Sequence, residues 1–181
     1  MDYNILLIGF MGTGKTTISK ELSKEMKLPE VDMDAYLVKK ANMSISDIFD
    51  KYGEEHFRDM ETECVKELSQ QGGKIISCGG GAVLREQNVE YMKENGMIVL
   101  LTAQPKTILN RVKNSTDRPI LNGHMNLEYI TQLMDKRKDR YLEVADFVIE
   151  TDHKNVVQIS REIRKKVESF LVEKRKKDNN C

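Results

Sequence analysis

The run Gly9-Phe10-Met11-Gly12-Thr13-Gly14-Lys15-Thr16-Thr17 fits the spacing G-x-x-x-x-G-K-[ST]. That spacing suits phosphate for physical reasons. Gly12 and Gly14 let the main chain come close to a phosphate group. Successive N–H groups then converge on one concavity, at the positive end of a helix dipole. Lys15 can reach the β- and γ-phosphates of a nucleotide, and the Thr16 hydroxyl can ligate Mg²⁺. Gly12, Thr13, Gly14, Lys15, Thr16 and Thr17 are the expected nucleotide contacts. The alternative is a plain glycine turn. The apolar run Ile5–Ile8 before the loop and the helical spacing of Ile18 and Leu22 after it argue against that.

Other residues carry chemistry at a distance from this loop. Asp32-Met33-Asp34 closes a short strand. If the segment stays extended, both carboxylates lie on one side. One could then hold a Mg²⁺-bound water and the other accept a proton from a substrate hydroxyl. Two solvated turn carboxylates are the alternative, and the phosphate loop weighs against it. Gly79-Gly80-Gly81 follows a strand, which suggests main chain approaching a bound molecule. Arg58 and Arg137 sit among apolar neighbours, and a buried guanidinium needs an anionic partner. That partner is either an internal carboxylate such as Glu61 or a ligand carboxylate held in a fork. Arg118 precedes Pro119 in a turn-rich stretch. It is either a plain surface arginine or a cation that closes over a nucleotide.

Positioning these groups requires a particular set of elements. Strands are expected at Asn4–Ile8, Leu28–Asp32, Lys74–Cys78, Met97–Leu101 and Asp146–Glu150. Helices are expected between them. The first runs from Lys15 to Met26, and a second carries Leu37, Val38 and Ala41 before Asn42-Met43 interrupts it. Ser44 and Asp47 have the spacing of a capping box before Ile48, Phe49 and Tyr52. Gly53 stops that helix, and a longer one from Glu54 carries Phe57, Cys64 and Leu68. Later helices place Ile108, Leu109 and Val112 on one face, then Leu127, Ile130, Met134, Arg137 and Tyr141. The last uses Val156, Ile159, Ile163, Val167 and Phe170. Such alternation predicts an α/β fold: a three-layer sandwich whose five-stranded parallel sheet has helices on both faces. Ligands in such sheets bind beyond the carboxyl ends of the strands, where Gly9 to Thr16, Asp32 with Asp34, and Gly79 to Gly81 all fall. Asn114 to His124 has no packing period and reads as a mobile loop. Lys174 to Cys181 is expected to fray.

The chain has 181 residues, 32% charged and 39% apolar, with 29 basic and 29 acidic side chains. We expect one domain over residues 1–181. The charge balance argues against a general nucleic-acid surface. No apolar run reaches the ~20 residues of a spanning helix, so no membrane partner is expected. No signal peptide fits the start. Cys64, Cys78 and Cys181 have no C-x-x-C spacing, which suits a reducing cytoplasm.

Together these residues resemble the shikimate kinases, within the nucleoside-monophosphate-kinase-like P-loop fold. The resemblance rests on the phosphate loop, Asp32-Met33-Asp34 and Ser44-Ile45 leading to Ile48-Phe49. It continues through Gly53-Glu54-Glu55-His56-Phe57-Arg58-Asp59-Met60-Glu61, Gly79-Gly80-Gly81, Arg118-Pro119-Ile120-Leu121 and Arg137 four before Tyr141. It implies ATP-dependent phosphorylation of the 3-hydroxyl of shikimate, by a cytoplasmic monomer with ATP and shikimate as partners and one Mg²⁺ per subunit. It makes Lys15, Asp34 and Arg118 catalytic. Asp34 would meet the ring hydroxyls and accept the proton. Arg58 and Arg137 would hold the carboxylate, and Gly80 would contact substrate through its backbone. Thr16 and Asp32 would hold Mg²⁺. Arg118 would be the arginine of a lid at about residues 114–124. Arg111 would lie near adenine, and Lys154 matches the purine-contacting loop by position. Cys78 and Asn42 depart from the usual Thr and Gly of the family, and Thr16 replaces the commoner Ser.

Overall fold

The computed structural model describes residues 3–113 and 126–178. Strand β1 (Asn4–Ile8) is central, and its side chains alternate between two cores. Leu6 and Ile8 enter one, and Ile5 and Leu7 the other. Burial on both faces explains the unbroken apolar run. Strands β2 (Glu30–Asp32), β3 (Ile75–Ser77), β4 (Gly96–Thr102) and β5 (Phe147–Glu150) complete a parallel sheet of order β2-β3-β1-β4-β5. Its carboxyl edge therefore brings together the segments that leave β1, β2 and β3.

Helices α1 (Lys15–Met26) and α7 (Val156–Asp178) cover one face through Ile18, Leu22, Ile159, Ile163 and Val167. The other face carries α2 (Met33–Ala41), α3 (Ile45–Ser69), α4 (Glu86–Glu94), α5 (Pro105–Val112) and α6 (Leu127–Val144). A short 3₁₀ turn, Ala82–Leu84, comes after the three glycines.

Local signals account for the boundaries. Asn42 adopts a left-handed backbone that ends α2. The Ser44 hydroxyl accepts from the Asp47 N–H at 3.1 Å and starts α3. At Gly53 the backbone leaves helical geometry (φ 83°, ψ 173°), dividing α3 at the expected residue.

Some expectations differ from the structure. The second strand ends at Asp32 as expected, but the extended backbone does not continue to Asp34, because the Asp32 side chain accepts the Ala35 N–H (3.1 Å) and caps α2. Asp34 is consequently in the first helical turn rather than extended. Leu127, placed on the buried face, is 45% exposed because it opens α6 beyond the core. Helix α7 itself runs to Asp178, and residues 179–181 lie outside the described residues. Among the described residues no helix is long and apolar enough to cross a membrane.

Candidate active site

The loop after β1 enters α1 through Gly12 (φ 77°) and Gly14 (φ 97°), backbone conformations that disfavour a side chain. A Cβ at Gly12 would also lie 2.8 Å from Val112 Cγ1. The Thr13 hydroxyl turns inward and donates to the Phe10 carbonyl at 2.8 Å, bracing the loop. Lys15 arches over it, donating to the carbonyls of Gly9 (2.9 Å) and Phe10 (3.1 Å). Its ammonium is thereby held at the mouth of the concavity.

Oxygen donors gather beside the lysine. Thr16 Oγ1 donates to Asp32 Oδ2 at 2.8 Å and lies 3.4 Å from Ser77 Oγ. The register that pairs Asp32 with Ser77 across β2 and β3 brings them there. Two hydroxyls and a carboxylate are a hard-oxygen set of the kind Mg²⁺ takes. Among the described residues there is no group of three or more His, Cys, Asp or Glu placed for a metal.

The three glycines after β3 lie against the charged residues singled out in the sequence. A Cβ at Gly79 would stand 2.9 Å from Asp34 Oδ1 and 3.0 Å from Glu61 Oε1. One at Gly80 would be 3.8 Å from Arg137 Nη1, and one at Gly81 only 2.3 Å from Arg58 Nη1. The absence of side chains lets Asp34, Arg58 and Arg137 approach one loop from three helices.

The arginines differ in their partners. Arg58 is buried and donates to Glu61 at 2.8 Å and Glu54 at 3.2 Å. Burial opposes its charge, yet the charge and hydrogen bonds of Glu61 and then Glu54 outweigh it and raise the guanidinium pKa. Burial pushes the Glu61 carboxyl up, while Arg58 opposes that push. Arg137 is half-buried, reaches the Gly80 carbonyl at 3.5 Å and lies 6.0 Å from the centroid of the Phe10 ring.

A cleft of about 290 Å³ joins the phosphate loop to the oxygen donors, Asp34 and Gly80, with Arg58 and Arg137 outside its lining. Gly12, Gly14, Lys15, Thr16 and Thr17 line one side, and Asp32, Asp34, Ser77, Cys78 and Gly80 the other. Arg111 also lines it, donating to the Gly12 carbonyl (3.1 Å) and Thr151 Oγ1 (3.2 Å). It thus ties the phosphate loop to the segment after β5. Lys154 lies on that segment, with its ammonium on Glu162 at 2.7 Å. Arg118 and the expected lid at 114–124 lie outside the described residues.

Cys78 donates its N–H to the Leu7 carbonyl at 3.0 Å and is buried beneath the cleft. Burial pushes both its thiol and that of Cys64 up. In a Cys181→Ser chain, we expect neither thiol to react with a disulfide reagent at pH 8 until guanidinium is added. Rapid modification of the native chain would contradict the enclosure of both sulfurs.

Sequence reasoning passed over two contributions. Ser77 joins Thr16 and Asp32 through strand pairing, which no local pattern reveals. The Tyr141 hydroxyl donates to the Gly80 carbonyl across the sheet edge; its helical spacing from Arg137 was the only available signal.

A parallel sheet of this order, with a phosphate loop and an acid beyond its carboxyl edge, defines a P-loop kinase. The family model for shikimate kinase matches residues 11–168. The chain belongs to the shikimate kinase family. It is 41% identical over 165 residues to a shikimate kinase of Thermodesulfovibrio yellowstonii, covering 91% of this chain and 95% of that one. The solved shikimate kinase of Acinetobacter baumannii in complex with shikimate superposes with a TM-score of 0.89 at 30% identity, covering 94% and 95% of the two chains. That of Aquifex aeolicus gives 0.80 at 34%, covering 93% and 98%.

Proposed function

We propose that this chain transfers the γ-phosphoryl group of ATP to the 3-hydroxyl of shikimate, giving shikimate 3-phosphate and ADP. The observation that carries the reading is the shared cleft: Lys15 and Thr16 line it together with Asp34 and Gly80. Arg58 and Arg137 approach the same three-glycine loop from their helices.

Each residue then has a role. Main-chain N–H groups of Gly12 to Thr17 bind the nucleotide phosphates, and Lys15 neutralises charge on the transferring group. Asp34 orients the substrate hydroxyl and accepts its proton as the new O–P bond forms and the bond to the leaving ADP breaks. Arg58 and Arg137 hold the carboxylate, and the Gly80 backbone contacts the ring. Thr16 and Asp32 would hold Mg²⁺. Bound Mg²⁺ supplies charge neutralisation at the phosphate oxygens. Arg111 lies near the adenine, Lys154 belongs to the purine-contacting loop, and Arg118 closes on ATP. The same reading makes the chain a one-domain cytoplasmic monomer.

ADP release should be measured with ATP and Mg²⁺ against shikimate, gluconate and nucleoside monophosphates. Turnover is expected with shikimate, with phosphate on its 3-hydroxyl by NMR. Chelation should stop it and added Mg²⁺ restore it. Faster turnover of gluconate or of a nucleotide would assign the chain a different acceptor.

A further inference from the structure

Helix α6 meets the three-glycine loop through Arg137, Arg140 and Tyr141, neighbours on one helical face. Arg140 Nε donates to the Val83 carbonyl at 2.8 Å, just beyond the loop. The Tyr141 hydroxyl donates to the Gly80 carbonyl, the same oxygen that Arg137 Nη1 approaches at 3.5 Å. Tyr141 is only 5% exposed. Burial pushes its phenol up, and the charge and hydrogen bond of Arg137 oppose this. A core tyrosine needs one partner for its hydroxyl. This one shares a carbonyl acceptor with the Arg137 guanidinium at the candidate substrate end.

We propose that Tyr141 is a positioning residue for substrate binding: its hydroxyl fixes the Gly80 main chain and the Arg137 fork relative to each other. The proposal rests on the reading of Arg137 as a carboxylate-holding arginine. A guanidinium oriented in advance loses less freedom when it grips a carboxylate. The ring packs in the core, and Phe preserves it, so the hydroxyl can be tested by itself.

Tyr141→Phe, Arg137→Lys and the double variant should be compared in steady-state kinetics with shikimate and ATP, together with melting temperature. Tyr141→Phe should raise the KM for shikimate about three- to tenfold, the scale of one net hydrogen bond. The KM for ATP should stay within about twofold. In the Arg137→Lys background the same change should add much less, because the two side chains act as one unit. An unchanged shikimate KM in Tyr141→Phe beside an impaired Arg137→Lys would overturn the positioning role alone. Additive effects, or equal losses for both substrates with a lowered melting point, would show a merely structural tyrosine and also overturn it. An Arg137→Lys enzyme with normal shikimate KM would remove the carboxylate reading beneath it.

Discussion

Lys15→Ala and Asp34→Asn are each expected to cut turnover by about a hundredfold or more while leaving the protein folded. Removing a preorganised charge from a transferring group costs about 10²–10³ in rate, and removing a general base about 10²–10⁴. Neither side chain belongs to the apolar cores; both line the cleft. Lys15→Ala loses bonds to the Gly9 and Phe10 carbonyls, but the Thr13 hydroxyl still holds Phe10. Asp34→Asn removes a charge that raises the pKa of nearby Glu61, so the buried acid is relieved of repulsion. Against this, α2 loses an acidic group from its first turn, a favourable contact worth about 0.3–1 kcal/mol. The melting temperature should therefore move by no more than about 4 °C, using about 2–4 °C per kcal/mol for a chain of this size. Near-normal rates at saturating ATP and shikimate in either variant would remove that residue from the chemistry. A large fall in melting temperature would assign it to the fold instead.

How much of this was legible depended on whether the information is local. The phosphate loop is contiguous, so its strand, glycines and helix could be read together. Ser44 and Gly53 were equally readable, since a cap and a helix break are properties of a few neighbouring residues. Asp34 was identified by type but misplaced in geometry, because the Asp32 cap ends the strand and the period-two argument fails there. Ser77 and Tyr141 were not legible as site residues. One arrives through the pairing of β2 with β3, the other through packing of α6 on the loop after β3. Those contacts depend on tertiary geometry that periodicity does not encode. The open question of Arg58, internal partner or ligand, had a physical basis as well. Its helix supplies Glu61 three residues away and Glu54 four away, so an ion pair forms whether or not a ligand uses the remaining donors.

That difference between the arginines gives the last expected result. Arg58→Lys should weaken both stability and shikimate binding, whereas Arg137→Lys should weaken binding alone. Lysine keeps the charge but loses the planar fork. At Arg58 the fork serves Glu61 and Glu54 at once, with Gly81 pressed against the guanidinium. Breaking a buried pair outright costs about 3–5 kcal/mol, and a retained charge recovers part of that. A loss of about 2 kcal/mol would lower the melting temperature by about 4–8 °C. Among the described residues Arg137 forms no ion pair with a carboxylate, so its replacement leaves no buried acid uncompensated. Shikimate binding should fall about tenfold to a hundredfold in each variant, for a charge-assisted bond worth about 1.5–3 kcal/mol. ATP affinity should hardly change, since neither arginine lies on the phosphate loop. Calorimetry with shikimate, ATP and an analogue lacking the carboxylate, beside thermal melts, separates the effects. Wild type should bind the analogue poorly, and the substitutions should scarcely affect that residual binding. Full discrimination against the analogue retained in both variants would mean that the carboxylate is held elsewhere. A stable Arg58→Lys with unchanged melting would mean that the Glu61 pair contributes little to the fold.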